Sequence, residues 1–226
     1  MSAQVNSRVF LFTALCGWFG LVLTAPEAVG AEQLEEPQAI IQDISDQLQD
    51  ILKRDRERLQ NDPGYVYQLA DELLVPYIDF GRVSSLALGK HWRRAQPAQK
   101  KEFVEQFKLL LVRTYATAFR EIKEWEIRHL PVKPGSRDGE VFVRTQILRP
   151  GAQPVSVDYR MYRSKSGGWK VYNVKIENVS LVTTYRTKFQ QEIRIHGMDG
   201  LIETLKTKNS KRVETAVLDE DPASAG

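Results

Sequence analysis

A chain of 226 residues, 42% hydrophobic and 27% charged, has the length of one domain and the balance of a protein that buries a core, which excludes a multi-span membrane protein. Its 32 Lys and Arg against 29 Asp and Glu leave a formal net charge of +3. That is too mild to argue for a nucleic-acid partner, yet compatible with transient contact with an anionic membrane surface.

In chain order, residues 1–31 read as a secretory signal peptide. "MSAQVNSR" supplies a short basic region with Arg8, "VFLFTALCGWFGLVL" an apolar run, and "TAPEAVGA" a small-residue end with Val29 and Ala31 placed for cleavage before Glu32. The run is shorter than the roughly 20 residues of a spanning helix, which argues against an uncleaved anchor. Cys16 follows Leu15 rather than the small residues of a lipidation site. Once the leader is removed no cysteine remains, so neither a disulfide nor a thiol nucleophile is expected. The compartment this implies is a periplasm.

Residues 34–60 are expected to be helical, with Ile40, Ile41, Ile44, Leu48, Ile51 and Leu52 at helical spacing and a solvated charged end, "KRDRERLQ". Asp62 before Pro63 starts a second helix with Val66, Leu69 and Leu73 on one face, and Pro76 stops it. Asp79 caps a short third helix holding Phe80, Val83 and Leu86, and Gly89 breaks it. Residues 97–124 form the longest helix. Its stripe of Phe103, Phe107, Leu110, Leu111, Thr114, Ala118 and Ile122, flanked by Val104, Tyr115 and Phe119, is wide enough to lie against a sheet.

The period then changes to two. Strands are expected over 124–130, 140–148, 155–163 and 169–176, and loops this short imply an antiparallel meander of four strands. Val141, Val143, Thr145 and Ile147 share one face, as do Val155, Val157, Tyr159 and Met161. Ser180 caps a further helix that steps through Leu181, Tyr185, Phe189 and Ile193 to Gly197, and Asp199 caps a last one with Leu201, Ile202 and Leu205. Residues 209–226 are expected to be a polar, disordered tail. The fold class is α+β, a sheet covered on one face by several helices, in one domain over residues 32–208.

Catalytic signatures are missing from the sequence. It has no glycine-rich phosphate loop, no G-x-S-x-G and no H-E-x-x-H. His91, His129 and His196 sit in different elements without metal-ligand spacing. No catalytic residue, metal site or cofactor is expected, and the protein is read as not an enzyme. Arg82, Lys90, Arg93, Arg94, Lys100 and Lys101 gather around Trp92. They read either as solvated charge beside a core tryptophan or as a patch for anionic headgroups or a membrane partner.

Two segments together resemble the MlaC, or toluene-tolerance auxiliary, family of phospholipid-binding proteins. The first runs from "LLVPYIDFGRVSSLALGKHWRRAQPAQKKEF" through the long helix, matching at Pro76, Asp79, Phe80, Leu88, Gly89, Trp92, Pro97, Gln99, Phe103 and Phe107. The second is "WKVYNVKIENVSLVTTYRTKF", matching at Trp169, Val179, Ser180, Leu181, Tyr185, Arg186 and Phe189. Asn173 stands where the family has Asp, Asn178 where it has Gly, and Gln96 where it has Ser or Thr.

The resemblance covers about residues 36–207 and implies a periplasmic carrier. Such a protein shuttles phospholipid between an outer-membrane lipoprotein–porin complex and an inner-membrane ABC transporter complex, and contributes to outer-membrane lipid asymmetry. It implies acyl chains in a cavity between a curved sheet and helices. The apolar faces then become candidate lipid contacts: Phe107, Leu110, Leu111 and Tyr115 from the long helix, Val141, Val143, Val157, Tyr159 and Met161 from the sheet, and Val171, Val174, Val179, Leu181 and Tyr185 from the second segment. Plain core remains an equal reading for each. Other readings are a carrier of a different apolar ligand such as a hopanoid or a solvent molecule, and a scaffold with a filled core.

Overall fold

Helices at both ends of the chain flank an antiparallel sheet in a computed structural model that describes residues 35–116 and 124–218. The leader expected at 1–31, the expected helical residues 117–123 and residues 219–226 of the expected tail lie outside them. Helix α1 (Glu36–Arg54) is separated from α2 (Arg56–Asn61) at Asp55, whose φ of −111° and ψ of 27° leave the helical region. The single helix expected over 34–60 is therefore two. The Asp55 carboxylate is held by the Arg54 guanidinium at 3.1 Å and by the Tyr65 hydroxyl at 2.5 Å, which fixes the break.

Helix α3 (Pro63–Leu73) is capped by Asp62, whose Oδ1 accepts from the Tyr65 amide at 3.0 Å. A 3-10 turn at Val75–Tyr77 follows around Pro76. Helix α4 (Phe80–Leu88) is capped in the same way, Asp79 Oδ1 accepting from the Arg82 amide at 2.8 Å. Gly89, at φ 57° and ψ −122°, separates it from α5 (Lys90–Arg94). Helix α6 spans Pro97–Ala116. Gln96 is a poor cap, and only the returning half of a capping box forms, Gln99 Oε1 accepting from the Gln96 amide at 3.0 Å.

The sheet has strand order β1-β2-β3-β4-β5, with β1 (Glu126–Pro134), β2 (Glu140–Leu148), β3 (Val155–Arg163), β4 (Trp169–Ile176) and β5 (Val179–Ser180). The four-strand expectation is corrected to five, because a two-residue strand is too short to show a period. It forms where Glu177 (φ 48°) and Asn178 (φ 64°) turn the chain back on β4. Asn accepts positive φ and β-branched residues resist it. Asn178→Val is accordingly expected to destabilise by about 1–2 kcal/mol and Asn178→Gly not at all, as read by thermal melting.

Helix α7 (Leu181–Leu218) is broken at Gly197, where φ is 72° and ψ −175°, so the two expected terminal helices meet there. Its start is capped twice: Ser180 Oγ accepts from the Thr183 amide at 3.2 Å, and Asn173 Oδ1 from the Val182 amide at 3.3 Å. The helix runs on past residue 208, where a polar tail was expected to begin. The cause is Asn209, which is 3% exposed and donates to Gln106 Oε1 at 2.9 Å, while its carbonyl accepts from Arg113.

Among the described residues, buried side chains form three clusters. One joins α4, α6 and α7 around an aromatic stack of Phe103, Phe107, Tyr185 and Phe189, with ring centroids 5.0–5.5 Å apart. A second lies between α2 and α3. The third places Ile41 of α1 on the sheet with Val143, Met161 and Val171. On the opposite face of the sheet, Arg82 lies over the rings of Tyr162 and Tyr172 at 4.3 and 3.9 Å and pairs with Glu140 at 2.5 Å. Burial alone raises the Glu140 carboxyl, but hydrogen bonds from Arg82 and Tyr172 and the Arg82 charge outweigh it and hold the group below its ordinary 4.5.

A depressed carboxyl contributes stability above its unfolded value and loses it as pH falls through the folded value. Glu140→Gln should cost about 2 kcal/mol at neutral pH. The difference from wild type should shrink as pH is lowered below 4.5, which urea unfolding at a series of pH values measures.

Candidate functional site

The register of the strands builds an apolar surface in rows. Val141, Met161 and Val171 align across β2, β3 and β4, then Val143, Tyr159 and Val174, then Thr145, Val157 and Ile176. Ile127, Ile147 and Val155 make a fourth row at the far end. Val171 and Val174 are three residues apart and would face opposite ways in a regular strand. A bulge opposite Arg160 and Met161, with Tyr172 as the extra residue, puts both on this face. A second bulge between Leu130 and Lys133 bends β1.

Each of the first three rows holds a buried residue, and the fourth holds none. Val143 and Met161 are completely buried under Ile41 and Ile78, whereas Ile127, Ile147 and Val155 are only half-buried. At that open end Val179 pairs with Ile176 and is 59% exposed. Leu181 follows it half-buried, and Tyr185 lies one helical turn on, in contact with Tyr115 of α6. The floor is uncharged. Burial pushes the Tyr159 hydroxyl up to about 12, and burial together with Tyr185 does the same for Tyr115. His129, between α1 and β1, is lowered by burial and meets Gln42 Oε1 at 2.9 Å.

The seven sheet candidates Val141, Val143, Val157, Tyr159, Met161, Val171 and Val174 thus share one face, Val179 and Leu181 lie at its open end, and Tyr185, one turn further on, joins Tyr115 to the cluster between α4, α6 and α7. Phe107 and Leu110 lie elsewhere. They are 1% and 8% exposed inside the cluster between α4, α6 and α7, with Leu111 packed against it. Sequence reasoning missed an apolar hollow away from the sheet face. Leu48, Ile51, Leu52, Leu59, Val66, Leu69, Ala70 and Leu74 line it between α1, α2 and α3. Its cavity volume is about 20 Å³, where one water takes roughly 10–15 Å³, so an acyl chain enters only if those helices separate. The available signal was two consecutive aliphatic helix faces on either side of Asp55.

Among the described residues no group of three or more His, Cys, Asp or Glu is placed to hold a metal ion, and no helix is long and apolar enough to cross a membrane. What remains is an apolar face that opens at one end.

Residues 42–207 match the family model described as MlaC protein. The chain is 22% identical to the intermembrane phospholipid transport system binding protein MlaC of Haemophilus influenzae, over 78% of this chain and 84% of that protein. It is 26% identical to the toluene tolerance protein ttg2D of Pseudomonas putida, over 79% and 83%. A solved structure of the phospholipid-binding protein from Ralstonia solanacearum, in complex with a phospholipid, superposes with a TM-score of 0.70 at 32% identity, covering 77% of this chain and 97% of that one.

Proposed function

The chain belongs to the MlaC protein family, and from that premise we propose that it is a periplasmic phospholipid carrier. Its acyl chains lie on the apolar face of the sheet and its headgroup stays toward the open end at Val179 and Leu181. The observation that carries this reading is the likeness to a chain solved with phospholipid bound, joined to an uncharged floor that opens at one end. Residues 1–31 serve as the cleaved leader, and residues 32–208 as the lipid-binding domain. The carrier exchanges lipid between an outer-membrane lipoprotein–porin complex and an inner-membrane ABC transporter complex, and so contributes to outer-membrane lipid asymmetry.

The energetics suit a carrier. Each buried methylene contributes about 0.8 kcal/mol, so a dozen of them hold a lipid by about 10 kcal/mol gross. Spontaneous escape into water is correspondingly slow, and release requires a partner that distorts the cavity. Protein purified from its own periplasm should yield a diacyl phospholipid on solvent extraction and mass spectrometry. A polycyclic lipid in its place would change the ligand. No lipid at all, with no transfer between vesicles in the presence of the partner complexes, would end the proposal.

A further inference from the structure

Residues 80–101 contain six Lys and Arg and no Asp or Glu, so the remainder of the chain is net negative by three. The fold concentrates this charge at one corner. Arg82 is taken up by Glu140, but Lys90, Arg93, Arg94 and Lys101 are exposed and Lys100 is half-buried. Among the described residues none of these five forms an ion pair with a carboxylate. The nearest acids on α6 do not cancel them: Glu102 is engaged by Lys206 at 3.5 Å and by Gln106 at 3.1 Å, and Glu105 points to solvent. Asp199 accepts from Gln99 at 2.7 Å.

Trp92 stands at the centre of the corner. It is partly buried against the α4–α6–α7 cluster, with Lys100 Nζ 5.6 Å from its ring centroid. The local potential is felt by His91, which burial and then the charges of Lys90 and Arg94 hold below its ordinary value.

We propose that this α5 corner, Lys90, Arg93, Arg94, Lys100 and Lys101 around Trp92, docks the protein on an anionic phospholipid bilayer. The charge is spread over α5 and the start of α6 on side chains that are mostly exposed, which suits a diffuse negative plane. A partly exposed tryptophan among cations suits the headgroup layer. The corner sits at the start of α6, and Tyr115 near the open end of the apolar face lies about 27 Å along the same helix at 1.5 Å per residue. Docking and lipid exchange therefore use separate surfaces: the corner holds the protein at the membrane while the open end faces a protein partner.

The test is flotation of the full mature protein with phosphatidylcholine vesicles, with and without phosphatidylglycerol. Binding is expected only with the anionic lipid and should vanish near 1 M salt, where the screening length is about 3 Å. Each cation reversed should weaken partitioning roughly fivefold or more, so K90E/R93E/R94E/K101E should abolish flotation. R128E/K133E/R137E/K165E, which changes the net charge equally at other exposed sites, should float as wild type does. Both variants should melt as wild type and keep their extractable lipid, which separates this proposal from the carrier reading. Equal loss in the two variants, or equal binding to neutral vesicles, would overturn it. Capture of an acidic partner protein by the corner without any vesicle binding would replace the membrane by a protein.

Discussion

Replacing Val174 by glutamate should reduce the extractable phospholipid at least tenfold, while Lys175→Gln, one residue on, leaves it unchanged. Val174 pairs with Tyr159 on the apolar face, and Lys175 pairs with Asp158 on the other. The row of Val143, Tyr159 and Val174 holds no charge, and the Tyr159 hydroxyl, near 12, stays protonated. A carboxylate among acyl chains would be desolvated without a partner, a penalty of several kcal/mol, and 1.4 kcal/mol already amounts to tenfold in affinity. Val174 is half-buried, so in the empty protein the carboxylate reaches water and the fold persists. Phosphorus per protein after extraction, with circular dichroism as the control for folding, decides the matter. Wild-type lipid content in Val174→Glu would remove this face from the binding site.

Phe107→Ala should destabilise the protein by about 3–5 kcal/mol, a large share of the roughly 5–15 kcal/mol available to a domain. Phe107 is 1% exposed and stacks with Tyr185 and Phe189, both at 5.0 Å, and with Phe103 at 5.5 Å. Its removal opens a cavity that helices on three sides cannot fill. With a urea slope of about 1–3 kcal/mol per molar, the unfolding midpoint falls by about 1 M or more. Lipid per folded molecule should not change, because Phe107 packs between helices rather than on the sheet face. A small loss of stability together with loss of lipid would put Phe107 in the cavity wall instead.

Most elements were legible because their signals are local. Asp62 and Asp79 cap the helices that their position before an apolar period indicates, and β2, β3 and β4 occupy the expected residues. The alternation of Val141, Val143 and Thr145 survives intact because β2 pairs with β3 without interruption. Other features have no local signal. Strand β5 is two residues long and exists only by pairing with Lys175 and Ile176. The break at Asp55 depends on Tyr65, ten residues away. Asn209 is polar in sequence yet buried, because Gln106 on another helix satisfies it.

The candidate site divides along the same line. By itself, the sequence determined which residues are apolar and, wherever the backbone period of 3.6 or 2 runs unbroken, on which face of a helix or strand they lie. Whether two such faces meet was decided only by the tertiary structure. The bulge at Tyr172 turned Val171 and Val174 to one face, α7 claimed Phe107 for an interhelix core, and α1, α2 and α3 closed an aliphatic hollow that no single period announces. The physical reason is that burial is non-directional: an apolar stripe gains the same free energy against any apolar partner. Contacts between residues distant in the chain, not the stripe itself, therefore chose which apolar face each stripe packs against.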